Sequence, residues 1–297
     1  MAGDRFTRSN KWKWISPWEA LMLKRTDKEY HKNRRGIYSL DIATAHVGGG
    51  KTSWAFQYIA RAMSLKKNRE LTRPVSWYRE QAEPLAKALG VSLNRFDVEK
   101  VKGLLFFTNQ KCDWYGYWKW MKIRDHEKLA KWCTERTFYY ETTEQFIAIV
   151  KYANRAITFT DEAMAYLNSL EVAGASDKEQ RKQLTELTRA IAHRRKQDHH
   201  IILGTQVLPR LLLLIREQCQ HVILLSTYFG LFTISVVKDG TKYTVDKETR
   251  EVEGPKMGWP KLHFHNRALR AFFSTDAIIG ENAMGGKRKP RKGQKST

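Results

Sequence analysis

The sequence predicts an α/β protein with a mostly parallel sheet, and three observations support this prediction. Short apolar runs alternate with helical patterns along much of the chain. A glycine-rich turn, AHVGGGKT at residues 45–52, follows the first apolar run and precedes a helical pattern. Polar residues come directly after later apolar runs, as in TDE at 160–162 and TQ at 205–206. Strands that alternate with helices are typical of a parallel sheet covered by helices.

The glycine-rich turn is the first functional candidate. The predicted strand before it covers residues 37–43, and residues 53–63 after it place apolar side chains on one helical face. In the pattern G-x-x-x-x-G-K-[ST], backbone N–H groups cradle phosphates, the lysine reaches the outer phosphates and the hydroxyl holds Mg²⁺. Alanine replaces the first glycine of that pattern, and two further glycines lie closer to the lysine. The matching residues are Ala45, His46, Val47, Gly48, Gly49, Gly50, Lys51 and Thr52.

The segment after the first helix is less regular. VSWY at 75–78 and LLFFTN at 104–109 are predicted strands, and the aromatic segment CDWYGYWKW at 112–120 follows. Interleaved aromatic and basic residues can stack on nucleic-acid bases or form an interface. They can equally pack against a helix over residues 121–132. Both interpretations also apply to KWKWISPW at 11–18.

From residue 138 onward the alternation is clear. FYYE at 138–141, AITFT at 156–160, HIILGT at 200–205 and HVILLS at 221–226 are predicted strands. A capping box of Thr142 and Gln145 predicts a helix start. The uncharged run 222–237 is shorter than the roughly 20 residues of a membrane-spanning helix, and two strands joined near Gly230 explain it better, with a membrane span as the alternative. An Asp-Gly turn at 239–240 then predicts a small β-rich appendage.

Two predicted strands end in residues suited to nucleotide chemistry. Asp161 ends one strand at the carboxyl edge of the sheet, where it would hold Mg²⁺, and the adjacent Glu162 would polarise a water molecule. Gln206 ends another strand and would sense the outer phosphate or place that water. Helix capping is the alternative role for the aspartate and the glutamine.

Composition indicates a polyanionic partner. The chain of 297 residues has 53 Lys and Arg against 31 Asp and Glu, a net charge of +22 that suits nucleic acid or an anionic membrane surface. The basic residues concentrate at both ends, and residues 285–297 contain six basic and no acidic side chains, as expected of a disordered tail. Three cysteines without metal-ligand spacing predict a reducing compartment.

The motifs together carry a family resemblance. The phosphate loop, TFTDEA, RAIAHRRKQDHHIILGTQ and RLLLLIREQCQHVILL occur in this order. With these motifs in this order, the sequence resembles the FtsK/HerA superfamily of DNA-translocating ATPases. Within that superfamily it most resembles the Zot-like proteins and virus genome-packaging ATPases. The predicted organisation is a basic aromatic arm (1–36), a RecA-like P-loop ATPase core (37–228), a β-rich appendage (229–282) and a disordered basic tail (283–297).

The resemblance implies a motor that moves DNA through a homo-oligomeric ring, usually a hexamer. By that resemblance Lys51 and Thr52 bind ATP and Mg²⁺, Asp161 holds Mg²⁺, Glu162 activates water and Gln206 acts as a polar sensor. An arginine from a neighbouring subunit would neutralise the transition state, with Arg194 and Arg195 as first candidates and Arg189 and Arg216 next. The motor would dock on a capsid or a membrane partner, and it would work in the host cytoplasm or the virion.

The residues disfavour two alternatives, a nuclease and a ParA-like ATPase, and leave two others open. The carboxylates after residue 228 do not cluster as a two-metal nuclease requires. His46 and Val47 stand where a ParA-like ATPase would have its additional lysine. A Zot-like, membrane-anchored phage assembly ATPase is the second interpretation. A protein that binds nucleotide and coats nucleic acid without hydrolysis is the third.

Overall fold

The structure is a computed structural model. It describes residues 39–46, 48–98, 101–167, 185–192, 197–246, 252–257, 259–265, 269 and 272. The residues outside these ranges include the whole predicted N-terminal arm with KWKWISPW at 11–18, the basic tail, Val47, Arg194 and Arg195.

An eight-stranded sheet organises the described chain, in the order β10-β7-β6-β1-β5-β4-β2-β3. The six neighbouring strands from β6 to β3 run parallel to one another. β7 pairs antiparallel with β6, and β10 pairs antiparallel with β7. A separate two-stranded ribbon pairs β8 with β9. The mostly parallel α/β fold predicted from the sequence is therefore confirmed. The strands are β1 Ser39–Thr44, β2 Leu105–Thr108, β3 Thr137–Tyr139, β4 Ala156–Thr160, β5 His199–Thr205, β6 His221–Tyr228, β7 Phe232–Asp239, β8 Thr244–Val245, β9 Val252–Glu253 and β10 Lys261–Phe264.

Helices cover both faces of the parallel strands. Successive side chains of each strand point to opposite faces of the sheet and so enter two separate cores. In β2, Phe106 packs with Phe56 of α1 on one face. Leu105 and Phe107 join the other core, with Leu85 of α4. The helices are α1 Lys51–Ser64, α2 Lys66–Arg69, α3 Val75–Glu80, α4 Ala82–Leu89, α5 Trp114–Trp120, α6 His126–Glu135, α7 Thr143–Tyr152 and α8 Leu213–Glu217, and residues 185–192 are also helical.

A buried cluster of one aspartate and two histidines joins β1 to its neighbours β5 and β6. Asp41 of β1 has no exposed surface, and its two carboxylate oxygens lie 2.9 Å from His200 Nε2 and 2.7 Å from His221 Nδ1. Burial alone would raise the pKa of Asp41, but the charges of His221 and His200 outweigh it and hold that pKa well below its usual range. This cluster fixes β1 between β5 and β6.

The segment VSWY at 75–78 is a correction, because it forms the start of α3 and not a strand. Pro74 occupies the position before the first turn, where a missing N–H costs nothing. Only Trp77 of this segment is fully buried, and its Nε1 donates to the Tyr152 carbonyl oxygen over 2.7 Å. Local β preference is overridden here by the burial of one large side chain.

The aromatic segment 112–120 packs mainly inward. Trp114, Tyr117 and Trp118 are buried in the core that also contains Phe106 and Phe272. Tyr115 and Trp120 are about half exposed. The packing interpretation of this segment is therefore confirmed for the three buried rings.

The uncharged run at 222–237 forms two antiparallel strands, β6 and β7, with a turn at residues 229–230. This confirms the two-strand interpretation. Among the described residues, no helix is long and apolar enough to cross a membrane. The strands predicted as an appendage after residue 229 extend the edge of the central sheet, since β7 pairs with β6 and β10 pairs with β7. The Asp-Gly turn at 239–240 leads from β7 into β8. In the described residues β8 pairs with β9, whereas β7 pairs with β6 and β10.

Candidate nucleotide-binding site

The glycine-rich turn forms an open loop between β1 and α1. Gly48 and Gly50 have positive φ angles of 72° and 81°, a conformation that glycine adopts without a steric penalty. The Gly49 N–H donates to the His46 carbonyl oxygen over 2.9 Å and closes the turn. Of the two glycines with positive φ angles, Gly50 is the second glycine of the motif, and Gly48 is one of the two further glycines before the lysine.

The first turn of α1 offers free backbone donors to an anion. The helix begins at Lys51, and its N-cap residue, Gly50, has no side chain to satisfy the first N–H groups. There is no acidic residue in that turn. The N-terminus of a 14-residue helix also carries the positive end of the helix dipole. This arrangement fits a phosphate group.

Ala45, which replaces the first glycine of the motif, is accommodated by Gly49. A Cβ atom built on Gly49 would lie 2.5 Å from the Cβ atom of Ala45 and 2.9 Å from the His46 carbonyl oxygen. The methyl group of Ala45 therefore occupies the space that a side chain at residue 49 would need. The departure from the motif is compensated within the loop.

Thr52 and Asp161 supply the two oxygen ligands expected for Mg²⁺. The Thr52 hydroxyl donates to Asp161 Oδ2 over 2.5 Å, although the two residues are 109 positions apart. Burial raises the pKa of Asp161, while the hydrogen bond from Thr52 and the charge of Lys51 oppose that rise. Gly204 of β5 lets the carboxylate approach the sheet, since a Cβ there would lie 3.0 Å from Asp161 Oδ1.

Asn109 is a site residue that the motifs did not identify. It follows β2 directly and is fully buried. Its Nδ2 donates to the Asp161 carbonyl oxygen over 2.8 Å, and its Oδ1 accepts the Asp161 backbone N–H over 2.9 Å. The signal in the sequence was a polar residue ending an apolar strand, the same signal that identified Asp161.

Glu162 is held in a specific orientation beside Lys51. Its backbone adopts φ 48° and ψ 52°, a left-handed conformation that is uncommon for a residue with a side chain. Gln206 Nε2 donates to Glu162 Oε1 over 2.8 Å, and Lys51 Nζ lies 3.5 Å from the same oxygen. Lys51 Nζ is also 3.5 Å from the Ala45 carbonyl oxygen. The structure thus brings Lys51, Glu162 and Gln206 together.

Arg189 and Arg216, two of the four arginines predicted to act in a neighbouring subunit, are not part of this cluster. Arg194 and Arg195 lie outside the described residues, so their role stays a prediction. Arg189 is exposed on the helix of residues 185–192. Arg216 donates from Nε to the Leu211 carbonyl oxygen over 3.0 Å. Of these two, Arg189 is the more accessible.

The donor set fits a nucleotide with Mg²⁺. Magnesium is commonly bound by one or two protein oxygen ligands together with phosphate oxygens and water. The hydroxyl of Thr52 and the carboxylate of Asp161 meet that requirement beside the open end of α1. Elsewhere in the described residues, no group of three or more His, Cys, Asp or Glu side chains is placed to hold a metal ion.

Comparisons with known proteins give matches among solved structures only. No family model matches the chain, and no curated protein matches it. One similar structure is the N-terminal domain of zonular occludens toxin from Neisseria meningitidis, with 14% identity, 80% of this chain and 100% of that chain covered, and a TM-score of 0.41. Another is the genome packaging NTPase B204 from Sulfolobus turreted icosahedral virus 2 in complex with AMPPCP, with 10% identity, 76% and 96% covered, and a TM-score of 0.36. At these identities the likeness is one of fold alone.

Proposed function

We propose that this protein hydrolyses ATP and uses the energy to move DNA. The observation that carries the proposal is the convergence of a phosphate loop, a hydroxyl–carboxylate pair and a held glutamate at one edge of the sheet. In the sequence, Glu162 and Gln206 are 44 positions apart and Thr52 and Asp161 are 109 positions apart, yet these groups meet at the ends of neighbouring strands and the start of one helix.

Each residue has a role that follows from its position. The N–H groups of the loop and of the first turn of α1 bind the phosphates, and Lys51 neutralises charge on the outer ones. Thr52 and Asp161 hold Mg²⁺, which when bound supplies positive charge to the phosphate oxygens. Asn109 fixes the Asp161 backbone and so keeps its carboxylate directed at Thr52.

Glu162 is the residue suited to accept a proton from the attacking water. A base of this kind contributes about 10²–10⁴-fold to a reaction rate. Gln206 donates to Oε1 of Glu162, so it orients the carboxylate. Lys51 contacts the same oxygen, and arrival of the outer phosphate would give this lysine a second anionic partner.

DNA as the partner rests on charge and on the sequence resemblance. A net charge of +22 favours binding to a polyanion, and the family that the sequence resembles moves DNA through a ring of subunits. We extend the proposal to a homo-oligomeric ring of six subunits. The DNA that this ring moves would be a viral genome, which it would package into a capsid. In that ring Arg194 or Arg195 would act on the nucleotide of the adjacent subunit.

ATP turnover by the purified protein tests the proposal, in the absence and presence of double-stranded and single-stranded DNA. Lys51→Ala is expected to abolish turnover, because it removes a buried cation from the phosphate site. Lys66→Ala is the matched control, since Lys66 also starts a helix but is exposed and forms an ion pair with Glu70, four residues along. DNA is expected to stimulate the wild type.

Each outcome selects among the three interpretations. Turnover that requires Lys51 and rises with DNA supports the motor. Turnover that requires Lys51 but ignores DNA contradicts the coupling to DNA and favours an assembly ATPase with another partner. Absence of turnover under every condition, with retained DNA binding, favours the nucleic-acid-coating protein.

A further inference from the structure

The antiparallel edge of the sheet has an inverted pattern of polarity. Thr233 and Ser235 of β7 and His263 of β10 are each only 1% exposed, on the side of the sheet that faces α1. Of the apolar residues that alternate with them, Leu262 and Phe264 of β10 are more than 40% exposed, and Phe232, Ile234 and Val236 of β7 are partly exposed. An edge that served only to enlarge the core would bury its apolar face. The buried polar row therefore calls for another explanation.

Part of this row forms a continuous chain of hydrogen bonds. The Thr227 and Thr233 hydroxyl oxygens are 2.7 Å apart, and the Thr233 hydroxyl is 2.6 Å from His265 Nε2. The backbone N–H of His265 donates to the Leu231 carbonyl oxygen over 2.8 Å, which anchors the imidazole at the end of β10. The chain spans β6, β7 and the residue after β10.

This chain of hydrogen bonds lies against Gly50 of the phosphate loop. A Cβ atom built on Gly50 would lie 2.2 Å from Thr233 Oγ1, 2.8 Å from Thr227 Oγ1 and 3.3 Å from His265 Nε2. Gly50 is also the N-cap of α1 and directly precedes Lys51. The three side chains therefore contact the backbone at the point where the loop becomes the helix.

A second contact joins the same elements about two turns further along α1. Gln57 of α1 donates from Nε2 to the Phe264 carbonyl oxygen over 3.1 Å. Because α1 contacts the β10 region through both Gly50 and Gln57, its first two turns are fixed relative to this edge. The direction of the N–H groups at the start of α1 depends on that placement.

We propose that Thr233 and His265 are positioning residues for the phosphate loop, which they hold through Gly50. This inference rests on the proposed function, since it assigns these residues to nucleotide binding at the same site. It gives the strands after residue 229 a role in the reaction without any contact with the catalytic carboxylates. Neither residue belongs to the sequence motifs of the core.

The same strands provide a matched control pair. Ser235 Oγ lies 2.7 Å from His263 Nε2, so this pair repeats the hydroxyl–imidazole bond between Thr233 and His265. It uses the same two strands at similar or deeper burial. Neither Ser235 nor His263 is among the atoms nearest to Gly50. Loss of this second bond is expected to affect stability alone.

The experiment measures binding of a non-hydrolysable ATP analogue by calorimetry, together with the melting temperature, for single variants of the full chain. Thr233→Val and His265→Leu are expected to weaken binding about tenfold or more. His265→Gln, whose side-chain amide can replace Nε2 as the hydrogen-bond partner of Thr233, is expected to restore binding to within about threefold of the wild type. Ser235→Val is expected to lower the melting temperature and leave binding within about twofold.

The outcomes separate this inference from the function on which it rests. If the wild type binds the analogue and Thr233→Val and Ser235→Val weaken binding equally, the positioning role is refuted while the nucleotide site stands. If the wild type does not bind the analogue, the proposed function and this inference both fall. If Thr233→Val does not fold, the comparison of His265→Leu with His265→Gln decides, because equal affinities would overturn the role of the imidazole.

Discussion

Replacement of Asn109 by alanine tests how the carboxylate of Asp161, which we propose to bind Mg²⁺, is held. Asn109 makes two hydrogen bonds to the backbone of Asp161, at 2.8 and 2.9 Å, and it has no exposed surface. Truncation removes both bonds and leaves the N–H and C=O groups of Asp161 inside the protein without these partners. The perturbation therefore acts on Asp161 without changing its side chain.

The expected cost follows from the two bonds. Each buried hydrogen bond contributes about 1 kcal/mol net, and a buried polar group left without a partner costs about 1–3 kcal/mol. The free energy of unfolding is therefore expected to fall by about 2–4 kcal/mol. Asn109→Asp keeps one acceptor but loses the donor, and it places a second carboxylate beside Asp161, so we expect a loss in the same range. ATP turnover is expected to fall at least tenfold in both variants.

Urea unfolding followed by tryptophan fluorescence measures the loss, since the chain contains ten tryptophans. Asn68→Ala is the matched control. Asn68 is also buried, and its Nδ2 donates to the Ala62 carbonyl oxygen over 2.9 Å, at the opposite end of α1. The control should lose about 1 kcal/mol and keep full turnover. An Asn109→Ala protein that is as stable and as active as the wild type would refute the reasoning.

Two further predictions concern the loop and the antiparallel edge. Gly49→Ala should weaken nucleotide binding, because its Cβ would lie 2.5 Å from that of Ala45, and the double variant Ala45→Gly/Gly49→Ala should recover part of the affinity in calorimetry. Burial and the charge of His265 lower the pKa of His263 to about 4. The unfolded chain therefore binds a proton at His263 more readily than the folded chain does. The contribution of this histidine to the free energy of unfolding is fully present above about pH 6.5, and about 3 kcal/mol of it is lost as the pH falls towards 4. Urea unfolding across this range should show a smaller slope for His263→Gln, and equal slopes would contradict the prediction.

Local patterns were sufficient for the core of the fold and for most of the proposed site. The strands β4 and β5 were predictable because apolar runs end abruptly in polar residues, Asp161 and Gln206. The helix α7 was predictable because Thr142 and Gln145 form a capping box, which the structure contains. These signals lie within a few residues of each other, so no knowledge of long-range packing was needed.

The remaining features depend on which strands are neighbours. Asn109 reaches Asp161 only because β2 pairs with β4, and a polar residue after a strand is otherwise common in turns. Thr233 and His265 meet Gly50 only because β7 and β10 pair beside β6. Trp77 shows the opposite problem, since its burial determines a helix where local composition favours a strand. Non-local pairing of this kind has no short-range signature.

The most direct test of the central claim compares ATP binding with ATP turnover in Glu162→Gln. The side chain keeps its size, and Thr52 and Asp161 are untouched, so the dissociation constant for ATP should stay within about threefold of the wild type. The turnover number should fall by about 10²-fold or more, as expected when a general base is removed. A variant that binds and hydrolyses ATP as the wild type does would contradict the assignment of Glu162 and, with it, the proposed catalytic site.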